Sequence, residues 1–436
     1  MKNLLIFIFL MCFSFGFSQN TPTSFSLQEA IDYALKNNRT AKNATKDIDA
    51  AVKQKWETIA TGLPQLNGNI DYQNAIKRNV FVIGDQIIEA GSKHTLTATA
   101  TLNQKLFDGS YLVGLQSAKV FLEISKNAKA KTDLEVRKAV INAYGNVLLA
   151  QESISILNRN IAVLEKNLNE ITKIYENGFE EEESVEQLKI TLSGVRSNLS
   201  NTKRLKDLAY QMLNITLGVA INSKTTLTDN LESLTSQNIL LSLLNTEENI
   251  ENTIDYKISE NEKISKELLL KLEKSKALPT LNAFINGGYT ANREAFNFSS
   301  SSKPWFGASL FGVTMNIPIF SSGMRNAATQ RAAINLEKAE NTLTETEQKL
   351  KLQIASAKSK YQFSIEDYEN KKQNLKLAER IEQKNQTKFF EGVASSFELR
   401  QAQTQLYAAQ QQLLQTMLDV INTKAELETV LNTINN

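Results

Sequence analysis

The 436-residue sequence holds one cysteine and one histidine, Cys12 and His94. Because Cys12 lies in the N-terminal apolar run, the rest of the chain has no thiol for a disulfide, a zinc–thiolate site or a cysteine nucleophile. The lone histidine excludes most His/Cys metal clusters and leaves Ser-His-Asp catalysis a single candidate base. An excess of one charge is also missing. With 49 Lys+Arg against 47 Asp+Glu, the net of +2 argues against a nucleic-acid partner. Proline is scarce at five residues, Pro22, Pro64, Pro279, Pro304 and Pro318. None interrupts 110–276 or 321–436, so long unbroken helices are expected there. Beyond the N-terminus no apolar stretch reaches the roughly 18 residues of a spanning helix. A membrane could be entered only by strands.

Residues 1–18, MKNLLIFIFLMCFSFGFS, place a lysine before an apolar run that ends in the small residues Gly16 and Ser18. This pattern is that of a secretory signal peptide, with Gln19 as the mature start. A lipoprotein signal acylated at Cys12 is the competing reading, but Leu10 and Met11 stand where small residues are wanted. A retained anchor is the third, and the run is short for a hydrocarbon core of about 30 Å.

The chain repeats itself. Gly62-Leu63-Pro64-Gln65-Leu66-Asn67 matches Ala277-Leu278-Pro279-Thr280-Leu281-Asn282 at an offset of 215. Leu106-Phe107-Asp108-Gly109 matches Ile319-Phe320-Ser321-Ser322-Gly323 at 213, and Tyr175-Glu176-Asn177-Gly178 matches Phe389-Phe390-Glu391-Gly392 at 214. Three offsets within two residues of one another indicate a duplication. The expected plan is residues 19–222 as one copy, 223–255 as a linker and 256–436 as the second.

Each copy has the same succession of periods. Leu66, Gly68, Ile70 and Tyr72 alternate with Asn67, Asn69, Asp71 and Gln73, and Leu281, Ala283, Ile285 and Gly287 fill the matching positions. A second strand follows in each copy, over Leu96, Ala98, Ala100 and Leu102 and over Phe311, Val313, Met315 and Ile317. Four strands in two hairpins are expected, about 65–107 and 280–320, with loops over 79–93 and 293–304. The remainder is helical, so the fold class is mainly α with a small β part. Ile154, Leu157, Ile161, Leu164, Leu168, Ile171 and Tyr175 form a heptad seam, which Val185, Leu188, Leu192, Val195 and Leu199 resume after Gly178. Leu399, Ala402, Leu406, Ala409, Leu413 and Val420 repeat the return after Gly392. These are duplicated coiled-coil helical hairpins, about 110–220 and 321–432. A continuous helix over 110–177 would run about 100 Å at 1.5 Å per residue, so a rod with a small sheet at one end is expected.

An apolar strand face of about nine residues suits a tilted bilayer crossing. An open four-stranded sheet cannot sit in lipid, because its unpaired edge groups cost several kcal/mol each. Two chains would pool eight strands and three would pool twelve, so the membrane reading demands a cyclic oligomer. The alternative is a soluble half-buried hairpin docked on the helices.

Several residues carry a resemblance. They are the helix start Ser26-Leu27-Gln28-Glu29-Ala30 with Ala34-Leu35-Lys36-Asn37-Asn38, Leu63-Pro64 before the first strand, Ile317-Pro318-Ile319-Phe320 after the last, and Gly178 and Gly392 at the hairpin turns. In this order and spacing, over essentially all of the mature chain, the sequence resembles the TolC-like outer-membrane efflux protein family. The resemblance implies a homotrimer with a twelve-stranded β-barrel in outer-membrane lipid and an α-helical tunnel through the periplasm of a Gram-negative bacterium. It also implies a periplasmic adaptor (membrane fusion protein), an inner-membrane transporter of RND or ABC type, no cofactor and no enzymatic activity.

It implies site residues as well. Gly178 and Gly392 match the periplasmic tips on which adaptor hairpins dock, while the plain reading of both is a helix C-cap. Glu398 and Gln401 match the acidic positions that ring the periplasmic entrance, and only the first is acidic here; the other reading is an exposed helical glutamate. Pro318 suits a strand-to-helix junction, and its partner in the first copy is Lys105, a departure that makes the two junctions unequal. The acidic run Glu180–Glu183 suits a solvated helix start. Tyr72, Phe107, Tyr289, Trp305, Phe306 and Phe320 lie near strand ends, as an interfacial girdle or as ordinary packing. His94 has no catalytic or metal constellation beside it.

Two other function classes compete with an export duct. A periplasmic coiled-coil adaptor or scaffold without a barrel should carry a Gly-rich lipoyl-like unit beside one helical hairpin, and this chain has two. A secreted carboxylate-dependent enzyme needs converging catalytic groups, and the Glu and Asp residues here are scattered along helices.

Overall fold

The computed structural model describes residues 24–246, 249–300 and 302–432. The expected leader and Cys12 lie outside them. The first copy supplies β1 (Ser24–Phe25), α1 (Leu27–Asn37), α2 (Arg39–Ala60), β2 (Gln65–Asn74), β3 (Asn79–Ile83), β4 (Gln86–Ala90), β5 (His94–Phe107), α3 (Gly109–Glu176) and α4 (Glu182–Leu217). Then come β6 (Thr226–Leu227), α5 (Leu231–Gln237), two short 3-10 turns, α6 (Ile254–Ser275), β7 (Thr280–Arg293), β8 (Phe306–Asn316), α7 (Met324–Phe390) and α8 (Ser396–Leu431). The helical hairpins of the two copies match in size, 68 and 36 residues for α3 and α4 against 67 and 36 for α7 and α8.

The chain divides into two compact units, each built from both copies: residues 1–43, 132–249 and 351–436 in one, 44–131 and 250–350 in the other. In the first unit, Ser26 and Glu29 close a capping box at the start of α1, which buries Ala30, Ile31 and Ala34. β1 pairs in parallel with β6. Asp229 ties these pieces to α3, accepting from the Leu27 N–H at 2.7 Å and from the Tyr144 hydroxyl at 2.9 Å. Burial, with the Asp229 bond behind it, pushes the Tyr144 hydroxyl pKa up.

The second unit holds an antiparallel sheet in the order β2-β5-β7-β8, so the hairpins of the two copies join through β5 and β7. Its register puts Leu66, Leu102, Ile285 and Phe311 in one row and Asn67, Thr101, Asn286 and Leu310 in the next. One face is therefore apolar, while the other is polar along β2, β5 and most of β7, with Leu310 and Phe306 on β8, and its polar residues are cross-linked. The Asn286 amide donates to Thr101 Oγ1 at 2.6 Å, and Thr97 and Thr290 hydroxyls meet at 3.3 Å.

One expectation needs correction. The 79–93 segment is not simply a loop, because it contains the β3–β4 ribbon. Asn79-Val80-Phe81-Val82-Ile83 and Gln86-Ile87-Ile88-Glu89-Ala90 pair across Gly84-Asp85, a two-residue turn whose first position, Gly84, has φ 66°. The two junctions differ in build. Lys105 lies inside β5, beside a register shift between Lys105 and Phe107. There the turn belongs to Asp108, which accepts from the Ser110 N–H at 2.9 Å and pairs with the Lys105 ammonium at 3.0 Å. Pro318 lies in the 317–323 connection between β8 and α7, its carbonyl accepting from the Arg325 guanidinium at 2.7 Å.

Candidate functional site

Two surfaces are candidates: the sheet and the turns of the helical hairpins. In the sheet, β2 and β8 each have one unpaired edge, and the apolar face is open: Leu66, Ile70 and Phe311 are 70–75% exposed. Exposed Leu, Ile and Phe opposite a face of Asn and Thr describe a wall with an apolar phase on one side and water on the other. No helix among the described residues is long and apolar enough to cross a membrane. At one end of the sheet, Tyr72 stacks on His94, with its hydroxyl 2.8 Å from Nδ1, and Phe296 and Phe298 meet Tyr72 edge-on. Only Tyr72 of this group was anticipated as girdle; Phe296 and Phe298 sit in a connection with no strand period to flag them.

The hairpin turns are built alike. α3 ends at Gly178, φ 78°, whose N–H donates to the Tyr175 carbonyl at 2.8 Å while Phe179 N–H donates to Ile174 at 3.1 Å. α7 ends at Gly392, φ 73°, with N–H to Phe389 at 3.0 Å and Val393 N–H to Lys388 at 2.8 Å. Both are complete Schellman motifs. A Cβ would meet no atom within 4 Å at either glycine, so the backbone conformation and not space requires glycine. Beneath the turns Leu164, Ile171, Val185, Leu188, Leu192, Phe389 and Leu399 form one buried cluster from all four helices. Ser184 and Ser396 hydroxyls, 2.8 Å apart, link the starts of α4 and α8. The side chains just past the glycines are exposed: Phe179 at 83% and Val393 at 73%.

Glu398 and Gln401 are both exposed on the first turns of α8. Glu398 is committed to a capping box: its carboxylate accepts from the Ser395 N–H at 2.8 Å and the Ser395 hydroxyl at 3.1 Å. The Ser395 backbone bond, then its hydroxyl, hold the carboxyl below the ordinary glutamate value. Glu182 and Glu183 occupy the first turn of α4, whose N-cap residue, Glu181, makes no side-chain cap bond.

One feature under the turns was missed. Gln403 is 1% exposed with neither amide atom hydrogen-bonded, and Glu382 Oε1, Tyr407 Oη and Asn167 Nδ2 are also buried without a partner. Burial raises the Glu382 carboxyl pKa, opposed only in part by the nearby Gln403 amide. Burial also raises the Tyr407 hydroxyl, and the Glu382 charge adds to it.

The comparisons agree with this geometry. A family model described as Outer membrane efflux protein matches residues 30–219 and 269–433. Among solved structures, CusC, described for its folding and transmembrane channel formation, aligns at 19% identity over 93% of this chain and 92% of its own, TM-score 0.78. The outer membrane protein VceC of Vibrio cholerae aligns at 17% over 93% and 95%, TM-score 0.75. The CmeC outer membrane channel of Campylobacter jejuni aligns at 16% over 93% and 85%, TM-score 0.75. No curated protein sequence matches the chain.

Proposed function

The chain belongs to the outer membrane efflux protein family, and on that premise we propose that it forms the exit duct of a tripartite efflux or type I secretion system. As an outer-membrane channel of this family it extends into the periplasm, and the family implies trimeric assembly with efflux partners. On our reading, three copies pool their four strands into a twelve-stranded barrel, with the Leu66–Phe311 row toward lipid and the Asn67–Asn286 row toward the lumen. Residues 19–222 and 256–436 act as two copies of one structural unit joined by 223–255. A periplasmic adaptor docks on the turns at Gly178 and Gly392, and an inner-membrane transporter of RND or ABC type delivers the substrate. Three copies of Glu398, with Gln401 beside them, ring the entrance and repel anions.

The observation that carries this reading is the open four-stranded sheet with one apolar and one mostly polar face and an unpaired edge at each side. Such an edge is tolerated in lipid only when another strand closes it. Purified protein is expected to give discrete conductance steps in planar bilayers and to run as a heat-modifiable oligomer. Protein that stays monomeric and gives no conductance would contradict the duct.

A further inference from the structure

The β3–β4 ribbon has no assigned role, and its surface is unusual for a segment in water. Val82, Ile83 and Ile87 are 67–72% exposed, and Val80, Phe81 and Ile88 are about half exposed. Cross-strand pairing places Phe81 with Ile88 on one face and Val82 with Ile87 on the other, so both faces are apolar. A two-stranded ribbon is marginal at best in water, and a continuous exposed apolar surface marks a contact.

Lipid is a poor cover for it. β2 already supplies ten residues, enough for one tilted crossing, and the ribbon begins only after that strand has ended. The ribbon is anchored by Arg78, which pairs with Glu294 and lies 3.9 Å from Glu89. Its tip carries Asp85. With Glu89 facing Arg78, little charge is left for an oppositely charged partner to recognise.

A second copy of this chain suits the observations better. β3 follows β2 and β4 leads into β5, so the ribbon springs from the end of β2, whose outer edge is open. That edge is where a neighbouring copy must pair if the barrel is to close. Each ribbon therefore starts at a seam between copies, and a closed cyclic arrangement brings like apolar faces together at one end of the barrel. We infer that the β3–β4 ribbons of three copies pack on one another across the outer mouth of the barrel, forming an apolar cap that narrows the exit. The inference rests on the trimeric reading above.

The mature chain has no cysteine if the leader carrying Cys12 is removed, so single thiols can be placed freely. In outer-membrane vesicles, Val82→Cys treated with a short bis-maleimide is expected to give covalently linked dimers, because one thiol per chain can bridge two of three copies. Val82→Asp with Ile87→Asp is expected to keep the heat-modifiable trimer and to raise single-channel conductance at least twofold. Val82→Ser with Ile87→Ser serves if the charged pair fails to insert. A protein that runs as a trimer but yields no link at Val82→Cys and no conductance change overturns the cap and leaves the trimer standing. Absence of the trimer in unsubstituted protein overturns both. Quenching by brominated phospholipid of a fluorophore on the V82C thiol would place the ribbon in lipid and also overturn the cap.

Discussion

Gly178 and Gly392, 214 positions apart, end α3 and α7 with the same left-handed backbone and the same pair of hydrogen bonds to the preceding turn. Neither is crowded, so the duplication has preserved a conformation, and each glycine is followed by an exposed apolar side chain, Phe179 or Val393. Rigid turns that present an apolar residue to solvent suit a docking surface.

The first prediction follows from that conformation. A residue with a Cβ costs about 1–2 kcal/mol in the left-handed region, and Asn costs less than a β-branched residue. Gly392→Val is expected to abolish efflux while trimer and membrane insertion persist, and Gly392→Asn to retain most of it. Drug- or dye-efflux assays beside unheated gels read both. Normal transport by Gly392→Val would remove the docking role.

The second prediction separates charge from capping at Glu398. Glutamine can also close a capping box, so Glu398→Gln removes the charge and keeps the helix start, whereas Glu398→Ala loses both. Glu398→Gln is expected to weaken multivalent-cation block and cation selectivity in planar bilayers, with assembly unchanged, and Glu180→Gln to do much less. Equal behaviour of the two would show that Glu398 does not line the entrance.

The same carboxyl sets a pH dependence. Its folded pKa is depressed by the Ser395 bonds, so the cap's contribution is present above the unfolded carboxyl value and is lost as pH falls through the folded one. Cation selectivity is therefore expected to survive slightly below the ordinary glutamate range and then to vanish. Glu398→Gln should flatten that titration.

A third prediction concerns Glu382. Its folded pKa is raised, chiefly by burial, so the neutral form is favoured; stability is present below the unfolded value and is lost as pH rises through the folded one. Glu382→Gln is expected to raise the thermal midpoint at pH 7 and to change it little at pH 4. A lower midpoint at pH 7 would mean that the carboxylate is paired in the assembled protein.

The parts most legible in the sequence were those with a single strong period. Leu66, Gly68, Ile70 and Tyr72 alternate because one face of β2 is apolar and the other polar, and the long helices could be traced because no proline interrupts them. The β3–β4 ribbon reads as loop in the sequence because its strands are only five residues each and apolar on both faces, which removes the alternation; Gly84-Asp85 between two β-branched runs is the available signal. Gln403 escaped notice because a heptad seam counts apolar positions, and the seam Leu399, Ala402, Leu406 leaves a glutamine between them looking solvent-facing. Packing of the helices beneath the turns, which no single helix encodes, buries it.

If copies of this chain close one barrel in the outer membrane, native mass spectrometry of protein extracted from outer membranes counts them. Three chains per particle are expected, since four strands each close a twelve-stranded wall. A monomer or dimer, or recovery of the protein only from the soluble periplasmic fraction, would contradict it.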